Sequence, residues 1–271
     1  MINRIFLLML IIFLILNKIN AQKIEFLTTI NAEVVLFASD NIGNFFIVDQ
    51  NGEISKYDKK FNKQQTFKSG LNGAISSISA SIPLEVFVFY KDINRFVILD
   101  NNLTEKTSVN FENLGLTQVS LACPSYDKSI WVYDSFDLHL KKIDNELKII
   151  HKSGNLTALV GFEINPISII ESDDKLYLND PDYGILVFDI YGNYYNTIPL
   201  KGIIKFDLKS DRLYFTEGNA LKIYNLKTQT NEDLKIDNGF ETITNFNRGN
   251  ECIYITSKKE VKIYLVKNTT D

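Results

Sequence analysis

Short runs of alternating hydrophobic and polar residues recur along the chain from about residue 23 onwards. Aromatic and β-branched residues dominate these runs, and no apolar stripe with the spacing of a helix follows residue 22. Alternation with a period of two is typical of β-strands that bury one face. The pattern therefore predicts an all-β protein built from many short strands.

Six segments of the chain share one arrangement: an apolar triplet, a turn, and a second strand that ends in an aromatic or aliphatic residue plus one more residue. The triplets begin at Phe46, Phe87, Ile130, Leu176, Leu213 and Ile253, and the second strands end at Asp58, Asp100, Asp144, Asp189, Asn225 and Leu265. Successive triplets start 37 to 46 residues apart. Repeats of about 40 residues with four short strands are typical of propeller blades. We therefore predict a six-bladed β-propeller with four-stranded blades.

The two ends of the chain complement each other in this repeat scheme. The sixth repeat has only Lys267–Asp271 left for an outer strand, which is too short, whereas Lys23–Ile30 looks like a strand but precedes the first repeat. Pairing the two ends would cover two exposed sheet edges. We predict that the N-terminal strand completes the last blade.

The first 22 residues have the pattern of a signal peptide. Asn3 and Arg4 precede the unbroken apolar run Ile5–Leu16, and a polar segment ending at Ala21 follows. A run of this length is too short for a bilayer about 30 Å thick and fits the apolar region of an export signal. We predict a signal peptide over residues 1–22, one propeller domain over 23–271, no membrane span after cleavage, and export to the periplasm, the outer surface or the medium. An uncleaved anchor is the alternative.

One repeat carries a resemblance to a known family. In Ile185–Tyr195 a hydrophobic strand ends in Phe188-Asp189, and Gly192 follows after two residues; Asn44–Lys59 is a weaker version. This segment resembles the NHL repeat, and the chain is similar to the NHL-like six-bladed propellers of exported bacterial proteins. That superfamily includes binding scaffolds, hydrolases and lyases, so the resemblance implies the fold and leaves the function open.

Most residues that could carry chemistry fall at repeated blade positions. An aspartate or asparagine that recurs once per blade after the third strand is expected to accept backbone N–H groups in a tight turn; these residues are Asp58, Asp100, Asp144, Asp189 and Asn225. Trp131 aligns with Tyr177, Tyr214 and Tyr254, which predicts packing between blades. These residues are therefore interpreted as blade structure.

The remaining metal-binding and nucleophilic residue types are sparse. His139 and His151 fall in one blade without a matched set of ligands. Cys123 and Cys252 fall in opposite blades, too far apart for a disulfide, so two buried free thiols are expected. Asp180 and Asp182 begin a long acidic turn that resembles a calcium loop but has too few carboxylates, and we interpret it as an ordinary turn. No cofactor is predicted.

Charge and loop length indicate what the protein binds. Without Arg4 and Lys18 the chain has 27 basic and 33 acidic residues and no basic stripe, which argues against nucleic acid. The loops between the second and third strands share one face with the connections between blades. There we expect Asp49, Lys91, Asp134, Phe136, Asp180, Asp182, Tyr183 and Glu217, together with the long connection Lys152–Asn165.

We predict a binding surface for a protein or peptide on this face, formed by Asp134, Phe136, Leu159, Phe162, Asp180, Asp182 and Tyr183. The alternative for Leu159 and Phe162 is that they fold back over the core as a plug. The predicted function is a non-enzymatic exported scaffold. The alternative is a metal-dependent hydrolase of the lactonase type, for which Asp40, Glu171 and Asp207 are candidates, although these should lie at the opposite face. Sugar binding is a third possibility.

Overall fold

Six antiparallel sheets of four strands each form a closed ring, which confirms the predicted six-bladed β-propeller. The structure is a computed structural model that describes residues 23–236, 239–240 and 242–267. The predicted signal peptide, residues 1–22, lies outside the described residues. Within the described ranges no helix is long and apolar enough to cross a bilayer.

Each blade runs from an inner first strand to an outer fourth strand. Blade 1 contains β2 (Leu36–Ser39), β3 (Phe45–Val48), β4 (Glu53–Tyr57) and β5 (Lys63–Lys68). Blade 2 contains β6 (Ser77–Ser79), β7 (Glu85–Tyr90), β8 (Arg95–Asp100) and β9 (Glu105–Asn110). Blade 3 contains β10 (Val119–Pro124), β11 (Ile130–Asp134), β12 (His139–Ile143) and β13 (Ile149–Lys152).

The second half of the ring follows the same order. Blade 4 contains β14 (Ser168–Ser172), β15 (Lys175–Asp180), β16 (Gly184–Asp189) and β17 (Tyr194–Ile198). Blade 5 contains β18 (Phe206–Lys209), β19 (Arg212–Glu217), β20 (Ala220–Asn225) and β21 (Thr230–Leu234). Blade 6 contains β22 (Asn245–Arg248), β23 (Cys252–Thr256) and β24 (Glu260–Lys267), and its outer strand is β1 (Lys23–Asn31). The short helices are α1 (Leu156–Val160) and two 3₁₀ turns, Lys91–Ile93 and Phe111–Leu114.

The ring closes through the N-terminal strand, as predicted. Strand β1 pairs antiparallel with β24 from Lys23 opposite Lys267 to Asn31 opposite Glu260, with one irregularity between Phe26 and Thr28. The rings of Phe26 and Tyr264 meet edge to face, with centroids 5.6 Å apart. Cross-strand aromatic contacts of this kind stabilise antiparallel pairs, so the first and last described strands hold each other in the sheet.

The hydrophobic core is divided among the six interfaces between neighbouring blades. At the closure, Phe37 and Phe45 of blade 1 pack against Tyr254 of blade 6, with ring centroids 5.1 to 5.3 Å from that of the tyrosine. Trp131 is fully buried between blades 3 and 4, which confirms its predicted packing role. Because both faces of each sheet are covered, the central residues of the second strands are apolar, as in the fully buried β3 and β11.

The aspartate turns after the third strands are also as predicted. In each of them one carboxylate oxygen accepts the backbone N–H groups two and four residues on, as Asp189 does from Tyr191 and Asn193, both at 2.9 Å. Asp58, Asp100 and Asp144 make the same pair of bonds. Asn225 accepts from Lys227 and Thr228. These residues form turns that reverse the chain.

Three details differ from the sequence-based predictions. The sequence pattern predicts that the inner strands begin at Val34, Ala74, Thr117, Pro166, Ile203 and Thr242. All six begin two or three residues later, because the residues before them cross the ring surface as irregular connections. The predicted loop Lys152–Asn165 contains helix α1, whose single turn is too short to produce a recognisable apolar stripe. Both cysteines are free thiols; Cys123 is buried, but Cys252 is only half-buried.

Candidate functional site

The ring has two dissimilar faces. We call the face with the second-to-third-strand turns and the blade-to-blade connections the loop face, and the opposite one the turn face. On the loop face, Phe136 lies in the turn between β11 and β12 with its side chain 76% exposed, the most exposed large hydrophobic residue described. An exposed aromatic side chain on a firmly held turn is a typical anchor for a partner.

Buried ion pairs hold the turn that carries Phe136. The carboxylate of Asp134 accepts the backbone N–H of Phe136 at 3.1 Å, and its other oxygen lies 2.7 Å from the ammonium of Lys141. Lys141 also pairs with Asp137 at 2.8 Å. The side chains of Lys141 and Asp134 are only 7% and 4% exposed. Buried charges are tolerated only when they are paired and hydrogen-bonded, so this network restrains the turn.

The pKa shifts follow from that pairing. Burial disfavours the charged form of Lys141, but its hydrogen bonds to Asp134 and Asp137 outweigh this effect and raise its pKa. Burial would raise the pKa of Asp137, but the hydrogen bonds from Lys141 and Lys152 outweigh it and lower the pKa. Burial, reinforced by the charge of Asp180, raises the pKa of Tyr133 to about 12. Lys141 and Asp137 therefore stay charged around neutral pH, and Tyr133 stays a neutral phenol.

The long connection between blades 3 and 4 is fastened to the same turn. The side-chain oxygen of Asn155 caps α1 by accepting the N–H of Ala158 at 3.0 Å, and its amide group donates to the carbonyl of Asp137 at 3.2 Å. The N–H of Leu156 donates to the carbonyl of Leu138 at 2.8 Å, and the Leu156 side chain is completely buried. This connection is therefore packed against blade 3 along part of its length.

The turn of blade 4 uses an aspartate in the same way. Asp180 is 1% exposed and accepts the backbone N–H of Asp182 at 2.9 Å and that of Asn165 at 2.7 Å. Gly184 ends this turn with φ +116°, and a Cβ there would stand 2.3 Å from the carbonyl oxygen of Ile198. Only glycine fits this approach. Asp180 therefore joins the turn to the end of the long connection.

The predicted site residues divide into two groups. Asp134 and Asp180 are buried and already hydrogen-bonded, so they hold the loops rather than face a partner. Phe136, Leu159, Phe162, Asp182 and Tyr183 remain accessible to different extents, and we call them the loop-face patch.

Both interpretations of the long connection apply, each to a different residue. Phe162 is half-buried, packs against the core between blades 3 and 4, and stacks on Tyr183 with centroids 3.5 Å apart. Leu159 is 44% exposed. Phe162 thus acts as the predicted plug, whereas Leu159 adds apolar surface to the patch.

Other predicted residues of this face are not part of the patch. Asp49, Lys91 and Glu217 belong to blades 1, 2 and 5. Glu217 forms an ion pair with Lys222, and the N–H of Lys91 donates to the hydroxyl of Ser76. The exposed Lys201 approaches the patch, its ammonium 5.9 Å from the centre of the Tyr183 ring.

An axial channel of about 310 Å³ runs between the inner strands. Towards the turn face, Asp207 accepts from the amide group of Asn247 at 2.8 Å and from the backbone N–H of Arg248 at 2.7 Å. The hydroxyl of Ser39 donates to the side-chain oxygen of Asn247. Burial raises the pKa of Asp207 to about 6, although the hydrogen bond from Arg248 opposes the shift. This end of the channel contains a network linking blades 5, 6 and 1.

The three carboxylates considered for a hydrolase lie towards the turn face, as expected, and each serves a separate group. Asp40 accepts from Ile42 and Asn44 in its own turn. Glu171 accepts from the hydroxyl of Ser125 and the indole N–H of Trp131, both at 2.7 Å. Among the described residues no three His, Cys, Asp or Glu side chains form a group that could hold a metal ion.

Sequence reasoning missed Lys141, Asn247 and Lys205. Lys141 is next to Lys142 in β12, and a strand that places two adjacent lysines on opposite faces must direct one towards each neighbouring blade. With both sheet faces covered in a propeller, that pair was a usable signal of a buried cation. Asn247 and Lys205 line the channel, and no local pattern distinguishes them from other polar residues of the inner strands.

Comparison with known proteins bears on the fold. No protein-family model matches the chain, and none of the curated proteins matches it. Among solved structures it is similar to a streptogramin B lyase, with a TM-score of 0.65 and 10% identity over 89% of this chain and 98% of the lyase. It is also similar to the β-propeller domain of Myceliophteria thermophila Cps50 (Swd1), with a TM-score of 0.64 and 9% identity over 90% of this chain and all of that domain.

BamB from Moraxella catarrhalis is a third structure with this architecture. Its TM-score is 0.54, with 11% identity over 90% of this chain and all of BamB. At such low identity the three likenesses establish a shared propeller fold, and the same fold serves unrelated functions.

Proposed function

We propose that this protein is a non-enzymatic scaffold that binds a protein or peptide through the loop-face patch over blades 3 and 4. The observation that carries the proposal is Phe136, 76% exposed on a turn that buried ion pairs hold. An aromatic anchor that is already ordered loses little conformational entropy when a partner covers it.

Other exposed residues of the loop face fit a partner with both apolar and polar surface. Leu159 contributes further exposed apolar surface, and Ile204 adds more at 59% exposure on the connection to blade 5. Asp182 and Lys201 give the surface both signs of charge. A centre of apolar anchors with polar residues around it is the usual anatomy of a protein interface.

We also propose that the protein is exported and acts in the cell envelope or outside the cell. The support is the apolar run Ile5–Leu16 with its short cationic start. Expressing the full-length chain in a bacterial host and sequencing the N-terminus of the mature protein tests this. A new terminus near Gln22 in the exported fraction is the expected result, and an intact Met1 terminus in the cytoplasm would contradict it.

Site-specific cross-linking tests the binding surface. A photoreactive phenylalanine analogue at position 136 should give a discrete adduct with one partner in the native host, and the purified partner should then bind the wild-type protein. Phe136→Asp should weaken that binding at least about tenfold, since an aromatic hot spot contributes about 2 kcal/mol or more.

Ile42 on the turn face provides the matched control, because it is an exposed apolar residue at 56%. Ile42→Asp should leave binding of the purified partner unchanged, and an analogue at position 42 should not give the same adduct. Equal loss of binding in the two variants would show that this patch is not the interface.

A further inference from the structure

The two ends of the axial channel differ in how their polar groups are satisfied. Towards the turn face, Asp207, Asn247 and Ser39 are hydrogen-bonded to one another, as described above. At the loop-face end, Ser76, Ser77 and Ser120 of blades 2 and 3 line part of the wall. The polar wall there also includes Lys205, which directly precedes β18, and first-strand residues of the neighbouring blades, Ser168 and Asn245. These three residues come from blades 4, 5 and 6, which follow one another around the ring.

Lys205 is a cation without a counter-ion in the described part of the chain. It lines the channel, and it has neither a hydrogen-bond nor an ion-pair partner among the described residues. Burial lowers its pKa, and no neighbouring carboxylate raises it again. Lys141 shows the contrast, because its two aspartates more than offset its burial. An isolated ammonium in a confined site is costly unless an anion accompanies it.

Two neighbouring groups can donate hydrogen bonds to such an anion. The hydroxyl oxygen of Ser168 is buried and has no partner within the described residues. The side-chain oxygen of Asn245 accepts the N–H of Phe246 at 2.8 Å, which leaves its NH₂ group as a donor. Lys205, Ser168 and Asn245 thus line the same end of the channel, and each has a donor group without a partner among the described residues.

We propose that the loop-face end of the channel binds the carboxylate of a small organic acid, with Lys205 as the counter-ion and Ser168 and Asn245 as hydrogen-bond donors. One ammonium balances the single charge of a carboxylate. A phosphate with about two negative charges at neutral pH calls for additional cations or a bidentate arginine.

The channel also sets the size and character of the rest of the ligand. Its volume of about 310 Å³ is at the low end of small-molecule pockets, which favours an acid of a few carbon atoms. Its wall includes the apolar residues Ile78, Leu121 and Ile169. The ligand is therefore a short-chain acid with an apolar body. This site is separate from the loop-face patch and does not depend on the proposed partner.

Titration of the full protein with hexanoate and with hexanamide, followed by ligand-observed NMR and calorimetry, tests the site. Hexanoate should bind with saturation, and hexanamide, which has the same size without the charge, should not compete with it. Lys205→Met should weaken hexanoate binding at least about tenfold, because hydrogen bonds to charged groups are the stronger class. Lys205→Arg keeps the charge and should retain part of the affinity.

Two separate controls test whether the variants fold and whether the surface charge alone matters. Lys205→Met removes an unpaired, half-buried cation, so its thermal midpoint should equal or exceed that of the wild type. Lys201→Met removes an exposed lysine from the same face and should leave hexanoate binding unchanged. Phe136→Asp should also leave it unchanged, which distinguishes this site from the partner surface. Competition by hexanamide, tighter binding of inorganic phosphate, or an equal loss in Lys201→Met would overturn the proposal.

Discussion

Aspartates form turns on both faces of the ring, but in different surroundings. Asp189 on the turn face and Asp134 on the loop face each accept a backbone N–H two residues on. The second oxygen of Asp189 accepts the side-chain amide group of the exposed Asn193, whereas that of Asp134 lies against a buried ammonium. The local geometry is similar, but the cost of disturbing it depends on burial, because water compensates a lost partner only at the surface.

The partners of these aspartates also explain which turns recur in every blade and which do not. An aspartate that follows a third strand, such as Asp189, bonds within its own turn, so it recurs from blade to blade. Asp134 and Asp180 also restrain loops that occur only in blades 3 and 4. These two aspartates therefore lie where the chain is least regular, next to the proposed binding surface.

Of the substitutions that test this comparison, replacing the buried Lys141 should lower the free energy of unfolding most. Lys141→Met leaves Asp134 buried without its counter-ion, so the free energy of unfolding should fall by about 3–5 kcal/mol. Urea unfolding followed by tryptophan fluorescence measures this, since Trp131 lies in the same blade.

Lys148 supplies the matched control, because its ion pair with Glu146 is exposed, at 70% and 72% for the two side chains. Lys148→Met should cost less than about 1 kcal/mol. Similar losses in the two variants would mean that burial does not separate the two kinds of ion pair.

Asp207 should give an intermediate effect that depends on pH. Its pKa is raised to about 6, above the usual value near 3.9, so the folded protein holds a proton between these pH values after the unfolded chain has lost it. The stabilisation is therefore complete below about pH 4 and is lost as pH rises through about 6. Asp207→Asn cannot titrate, so its stability relative to wild type should increase over this window by about 2 to 3 kcal/mol.

Urea unfolding of both proteins at closely spaced pH values from 4 to 7 measures the change. Comparing the two proteins removes the contribution of the other carboxyl groups, which titrate in both. A difference that is constant over this range would show that Asp207 titrates normally in the folded protein.

A turn-face aspartate should give the smallest effect. Asp189→Ala removes hydrogen bonds near the surface, where water replaces them, and should cost about 1 kcal/mol. Asp144→Ala, at the equivalent point of blade 3, should behave alike in the same unfolding assay. A loss as large as that of Lys141→Met would remove the distinction between the two faces.

The fold was predictable because its signals are local and repeated. The apolar triplet in β11 or β15 is recognisable without the rest of the chain, and Asp189 forms its turn with residues only two and four positions away. The candidate site was predictable only in part. The exposure of Phe136 followed from its place in a turn. The burial of Asp134 depended on Lys141 in the next strand, and that of Asp180 on Asn165 in the long connection, beyond the reach of a local turn pattern.

The sequence by itself determined the number of blades, the closure by β1 and the turns after the third strands, because strand alternation and hydrogen bonds to nearby N–H groups are short-range. Only the tertiary structure decided which charges are paired. The pair of adjacent lysines in β12 indicates a buried cation but not its partners: Lys141 lies between two aspartates, whereas Lys205 lines the channel without a carboxylate partner in the described chain. Burial depends on which neighbouring blade covers a side chain, and that information is absent from any single repeat.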